Sequence, residues 1–218
     1  MNFDALKEFM DSLTAWIIPG NSICVYYKGK KIFNYASGYA DIENKIPMST
    51  DKYINIYSCT KVTTAVSALQ LFERRYFALD DPVYDFIPEY RNMTVTDNAG
   101  NIRKAKNPIT IRHLLTMTAG LTYNLKSDSI KEAISETNGN ADTLTVIKKL
   151  AKDPLIFEPG EDWNYSLCHD VLAGVIEVVS GMKFTEYCKK NVFEPLDIDA
   201  KFHINDKIKP QMATSRWS

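Results

Sequence analysis

Strand-type and helix-type patterning divide along this chain at residue 58, and that division restricts its possible folds more than any other feature. Before it, Ser22-Ile23-Cys24-Val25-Tyr26-Tyr27 and Ile32-Phe33-Asn34-Tyr35-Ala36 are β-rich runs around the turn Lys28-Gly29-Lys30-Lys31, and they predict a β-hairpin. A hairpin alone is unstable in water, so it requires further strands or a helix over one face. Met1 to Asn21 predicts an amphipathic helix ended by Pro19-Gly20. After residue 58 nearly every apolar run has helical spacing. The expected architecture is α/β, of the α+β type. It is one domain in which a mostly helical lobe (58–200) joins an antiparallel sheet with its N-terminal helix (1–57), and the site lies in the cleft between them. Two strands are few for such a sheet, and Pro210 to Ser218 carries no cap or stop signal. The chain therefore reads as part of a longer one, with only the N-terminal strands of the sheet present.

The helix entered at Ser58 has apolar residues at Val62, Ala65, Val66, Leu69 and Phe72, which predicts that this face is buried and that the helix runs to about Tyr76. Leu79 to Val83 starts a short helix or turn. Thr94-Val95-Thr96 and Ile102-Arg103-Lys104 predict a second hairpin around Asp97-Asn98-Ala99-Gly100-Asn101. Pro108-Ile109-Thr110 introduces a helix through Ile111, Leu114 and Leu115 that is expected to stop at Gly120. Residues 126–140 are polar, with Asn138-Gly139-Asn140 as a loop tip. Helices are expected from Asp142 to Lys152, from Val171 to Val179 with Ser180-Gly181 closing it, and from Phe184 to Phe193.

A hydrophobic content of 45%, a charged content of 24% and a formal net charge of -1 are those of an ordinary globular chain. They offer no electrostatic case for nucleic acid or an anionic membrane. No apolar run approaches the length of a membrane span, and the acidic N-terminal segment is not a signal peptide, so a cytoplasmic location is expected. Cys24, Cys59, Cys168 and Cys188 form no C-x-x-C pair and are expected to be reduced, buried, small apolar residues. No metal and no cofactor is expected.

Three Ser-x-x-Lys pairs occur: Ser49 with Lys52, Ser58 with Lys61, and Ser180 with Lys183. Ser49 lies in a turn-like segment. Ser180 marks a helix C-terminus, where the dipole opposes a serine alkoxide. Only Ser58 opens a helix, with Lys61 one turn on and on the same face. A serine beside such a lysine is a candidate acylatable nucleophile; the alternative is a plain N-cap serine. Glu158-Pro159-Gly160-Glu161-Asp162-Trp163-Asn164-Tyr165 brings a tyrosine to a loop before the apolar helix. Its phenol, ordinarily titrating near ~10, could act as a base only beside a cation such as Lys61.

Five stretches, in order, resemble the serine β-lactamase-like superfamily of class C β-lactamases, low-molecular-weight penicillin-binding proteins and related esterases. They are Gly38-Tyr39-Ala40-Asp41, Ser58-Cys59-Thr60-Lys61, Ile109 to Leu121, Phe157-Glu158-Pro159-Gly160 to Tyr165-Ser166, and Leu172 to Gly181. The resemblance implies a β-lactamase/transpeptidase-like fold and acyl transfer through a covalent Ser58 ester. In it Lys61 is the partner that deprotonates Ser58, Tyr165 the general base and then acid, and the Ser58 N–H one oxyanion donor. The substrate would be a small molecule: a β-lactam, an ester or a small peptide. Two departures stand out. Leu167 occupies the place of an asparagine that binds a substrate amide, which tilts the reading towards simple esters and leaves His169 either to replace that contact or to serve structurally. The family's third motif, a Lys- or His-containing Thr/Ser-Gly strand, is absent; His113 matches a scaffold position and is not its equivalent. The alternative is a catalytically incomplete lobe that binds or scaffolds. An exposed sheet edge is also expected to favour self-association.

Overall fold

The computed structural model describes residues 1–97 and 99–214. Asn98, in the expected turn of the second hairpin, and residues 215–218, in the segment expected to lack a stop signal, lie outside the described residues. The chain forms two compact units: Met1–Tyr57 joined by the chain after Ala200, and Ser58–Ala200.

In the first unit, helix α1 (Asp4–Trp16) precedes strands β1 (Gly20–Tyr27), β2 (Lys30–Asp41) and β3 (Ile46–Pro47), which form an antiparallel sheet in the order β1-β2-β3. The β1–β2 loop is two residues, Lys28 and Gly29, with φ of 48° and 75°. Positive φ at both positions twists the loop in the sense that the flanking strands require. Strand β3 has no strand-length apolar run to announce it. The sheet is tied to α1 through the carbonyl of buried Met10, which accepts from Asn21 Nδ2 at 2.9 Å and Ser37 Oγ at 3.2 Å. The chain after Ala200 returns to this unit, where Ala213 N donates to Tyr53 O at 2.8 Å and Thr214 N to Ala40 O at 2.7 Å. β1 is an edge strand among the described residues.

The second unit contains helix α2 (Thr60–Glu73), a hairpin of β4 (Thr94–Thr96) and β5 (Ile102–Lys104), and helices α3 (Ile111–Thr116), α4 (Asp128–Glu136), α5 (Thr143–Leu150), α6 (Cys168–Ser180) and α7 (Phe184–Cys188). Its core is α6, whose Val171, Leu172, Val175 and Ile176 are fully buried and which packs against α2, α3, α5 and α7. Gly174 sits where α6 meets α5: a Cβ there would lie 1.9 Å from Ile147 Cδ1.

Four expectations are corrected here. The buried side of α2 is Thr64, Ser67, Ala68 and Leu71, while Val62 is 69% exposed and Val66, Leu69 and Phe72 face outwards too. Small side chains let α2 close onto its neighbours: Ser67 Oγ is 3.5 Å from Cys188 Sγ, and Gln70 Nε2 donates to Asn191 O at 2.9 Å. The polar segment 126–140 contains α4, capped by the Ser127 hydroxyl and burying only Ile130, Ala133 and Ser129. Helix α3 stops before Gly120, at Met117, which adopts a left-handed φ of 59°. Of the four free cysteines, Cys168 and Cys188 are buried but Cys24 and Cys59 are exposed. Among the described residues no helix is long and apolar enough to cross a membrane.

Candidate active site

Ser58 is exposed, within a 3-10 turn (Tyr57–Cys59) that runs directly into α2. The residue before it, Tyr57, holds φ at 43°, a left-handed value that is uncommon for an aromatic side chain. Ser58 is not the N-cap. Cys59 occupies that position and makes no side-chain cap bond. The Ser58 hydroxyl is instead hydrogen-bonded to the Tyr165 hydroxyl at 2.6 Å.

Tyr165 reaches Ser58 because the segment leading to it is laced to two others in the same unit. Leu155 N donates to Thr94 O and Thr96 N to Leu155 O, both at 2.8 Å, which extends the β4 hairpin. Ile156 N then donates to Gly120 O at 2.9 Å, Gly160 N to Thr118 O at 2.8 Å, and Asn164 N to Met117 O at 3.1 Å. Asn164 Nδ2 donates to Leu121 O at 3.0 Å and Leu167 N to Thr122 O at 3.1 Å. Gly120 is needed at this crossing: its φ is 81°, and a Cβ would lie 2.3 Å from Phe157 O. At the start of the segment the buried Glu158 carboxylate accepts from Arg103 and from Lys106 N at 2.9 Å. On the α3 side, Thr110 and His113 form a reciprocal capping box, so His113 is used in starting a helix.

Lys61, half-buried in the first turn of α2, places Nζ 4.9 Å from the Tyr165 ring centroid and 5.4 Å from that of Tyr123. The two rings are 5.1 Å apart and inclined at 49°. The hydrogen bond with Ser58, then that with Lys61, holds the Tyr165 phenol below its ordinary pKa against a smaller upward push from burial; the Lys61 charge adds to the lowering and that of Asp170 opposes it. Nothing in the residues around Tyr123 singled it out in the sequence; its place beside Lys61 follows from the lacing just described.

His169 is in the first turn of α6. Its Nε2 lies 3.4 Å from Leu115 O on α3, and its buried Nδ1 has no hydrogen-bond partner among the described residues. Burial pushes its pKa down, with the Leu115 carbonyl acting in the opposite sense. A role for His169 in holding substrate would require the ring to leave that carbonyl. Its neighbour Asp170 has its carboxyl pushed up by burial, with Lys61 pulling the other way. The structure thus brings Ser58, Lys61 and Tyr165 together and turns His169 towards α3. Among the described residues no group of three His, Cys, Asp or Glu side chains is placed to hold a metal ion. Once the phenol is ionised beside the ammonium, such a pair can pass a proton from the serine hydroxyl to the phenolate and expose the serine oxygen to a carbonyl carbon.

The Beta-lactamase family model matches residues 5–218. Esterase EstB of Burkholderia gladioli is 34% identical over 174 residues, which are 77% of this chain and 43% of the esterase. Acyltransferase calJ of Penicillium decumbens is 31% identical over 183 residues, 80% of this chain and 43% of the acyltransferase. Among solved structures, EstCE1, a hydrolase with promiscuous acyltransferase activity, superposes with a TM-score of 0.81 at 27% identity, covering 98% of this chain and 56% of its own. The chain spans less than half the length of the two curated relatives.

Proposed function

Since the chain belongs to the beta-lactamase family and carries its α/β fold over part of the length of its relatives, we propose that Ser58 is the nucleophile of a serine acyl-transfer site acting on small esters. The observation that carries this reading is the 2.6 Å hydrogen bond between Ser58 Oγ and the Tyr165 hydroxyl, with the Lys61 ammonium against the same phenol.

In the forward step Tyr165, as phenolate, takes the Ser58 proton while Oγ bonds to the ester carbonyl carbon. The tetrahedral intermediate collapses by breaking the bond to the leaving alkoxide, which receives the proton from Tyr165. Water, activated by the same phenolate, then releases the acid and frees Ser58; an alcohol in its place would give transfer rather than hydrolysis. Lys61 stabilises the phenolate. The Ser58 N–H is the oxyanion donor that this chain would supply. Two considerations favour esters over β-lactams: Leu167 offers no side-chain hydrogen bond to a substrate amide, and the relatives reported above are named for ester cleavage and acyl transfer.

The test is intact mass after exposure to p-nitrophenyl acetate and, separately, to benzylpenicillin, with Ser58→Ala beside both. A stoichiometric acetyl adduct that the variant lacks is expected. Absence of an adduct from either reagent would refute acylation by this chain. It would favour the second reading, a binding or scaffolding lobe.

A further inference from the structure

We propose that Tyr123 is a positioning residue, whose ring joins that of Tyr165 in holding the Lys61 ammonium against the Ser58–Tyr165 pair. The inference rests on the acyl-transfer reading for its kinetic consequence only.

The distances define the arrangement. Lys61 Nζ and the two ring centroids form a nearly equilateral triangle with sides of 4.9, 5.4 and 5.1 Å. The ammonium therefore caps both rings, each within the roughly 6 Å over which a ring quadrupole attracts a cation. Among the described residues three other cations lie over single tyrosine rings: Lys7 over Tyr35, Lys28 over Tyr27 and Arg91 over Tyr84. Lys61 faces two, and one of them belongs to the tyrosine bonded to Ser58.

The second ring is needed because of what Lys61 must do. A lysine carries a point charge on a flexible stem, and its ammonium can leave a phenol by rotation about several bonds. One hydrogen bond and one ring face leave most of that rotation open. A second ring beside the first gives the charge a second attracting face and narrows that rotation. Tyr123 can serve this way although 44% exposed, since its backbone follows Leu121 and Thr122, whose carbonyls are bound to the segment that carries Tyr165. Both rings thus ride on one hydrogen-bonded platform. Two other titratable groups lie in the same field at the start of α6: Asp170, whose charge opposes the lowering at Tyr165, and His169, on which the Lys61 charge acts.

The experiment uses two readouts on the full chain. In protein labelled with [ε-13C]lysine, the Lys61 ε-CH2 resonance, identified by its absence in Lys61→Arg, is expected to be displaced upfield by both rings. Tyr123→Leu is expected to move it back towards the position of exposed lysines, and Tyr123→Phe to restore it. In parallel, the acylation rate with p-nitrophenyl acetate is expected to fall about three- to fivefold in Tyr123→Leu, with the acid limb of its pH profile moved upwards, and to recover in Tyr123→Phe. An unmoved lysine resonance in Tyr123→Leu overturns the inference, as does equal loss in the Leu and Phe variants, which would assign the effect to the hydroxyl. If the wild type takes no adduct, the acyl-transfer reading fails and the resonance alone decides the positioning.

Discussion

Glu158 is where stability and the site meet, and its removal has a size that can be worked from the structure. Its side chain is 3% exposed, and its carboxylate accepts from the Arg103 guanidinium, from Lys106 N at 2.9 Å and from Asn107 N at a weaker 3.4 Å. Glu158→Ala strands one well-made backbone donor and one marginal one, each costing about 1–3 kcal/mol if left dry. Arg103 is 40% exposed, so water takes up its freed charge cheaply. Allowing water partial access to the emptied pocket, the sum is about 2–4 kcal/mol. For a unit of this size that is roughly 5–15 °C in melting temperature. The pH dependence gives a second check. Burial pushes the carboxyl up, but Arg103 and the two N–H groups together hold it below its usual value. Folding therefore gains from this carboxylate above the unfolded value of about 4.3, and loses that gain as pH falls through the lower folded value. Melting followed by circular dichroism at neutral pH and at successively lower pH should show a wide gap between wild type and Glu158→Ala that narrows on acidification. A neutral-pH difference under about 2 °C, or a gap independent of pH, would refute the reasoning.

Three further outcomes are expected. Tyr165→Phe keeps the ring over Lys61 but removes the proton carrier, so acylation measured by stopped-flow should slow by about 10²–10⁴-fold; in the wild type the rate should rise with pH through a Tyr165 pKa below its ordinary value, and Lys61→Met should move that limb upwards. Gly174→Ala should cost about 1–3 kcal/mol in chemical denaturation, because the new methyl would lie 1.9 Å from Ile147 Cδ1 at a fully buried contact. Static light scattering should show concentration-dependent association of the chain through the β1 edge, Gly20–Tyr27, and a strictly monomeric species would count against it.

The hairpins and the long apolar helix were legible because each is written locally: short polar turns between β-rich runs, and a run from Val171 to Val179 in which Glu177 is the one charged residue. That Ser58 and Tyr165 would meet beside Lys61 was expected from the resemblance of their stretches to one family, since each residue taken alone fits a plain structural use. Tyr123 was not, since what brings it to Lys61 is a set of backbone bonds between residues 117–122 and 160–167, about forty positions apart and invisible to any window. Helix α4 escaped for a related reason. Its Glu132 and Glu136 are held by Lys149 of α5 at 2.8 and 2.7 Å, contacts between residues 17 and 13 positions apart that no local window shows.

Helix α2 shows the physical limit most sharply. Apolar periodicity locates bulk, and bulk was assigned to the inside at Val62, Val66, Leu69 and Phe72. The inside of α2 is instead set by clearance. Ser67 and Ala68 are small enough to let the helix close onto its neighbours, and Ser67 meets Cys188 there across a 3.5 Å contact. Bulkier residues on that side would hold α2 further from α6 by the difference in side-chain length. α2 begins two residues after Ser58, and α6 begins three residues after Tyr165, so any such displacement is transmitted to the hydroxyl pair, whose hydrogen bond spans 2.6 Å. On the acyl-transfer reading, enlarging the fully buried Ala68 is therefore expected to slow acylation as well as to lower stability, which stopped-flow and chemical denaturation of one variant would show together.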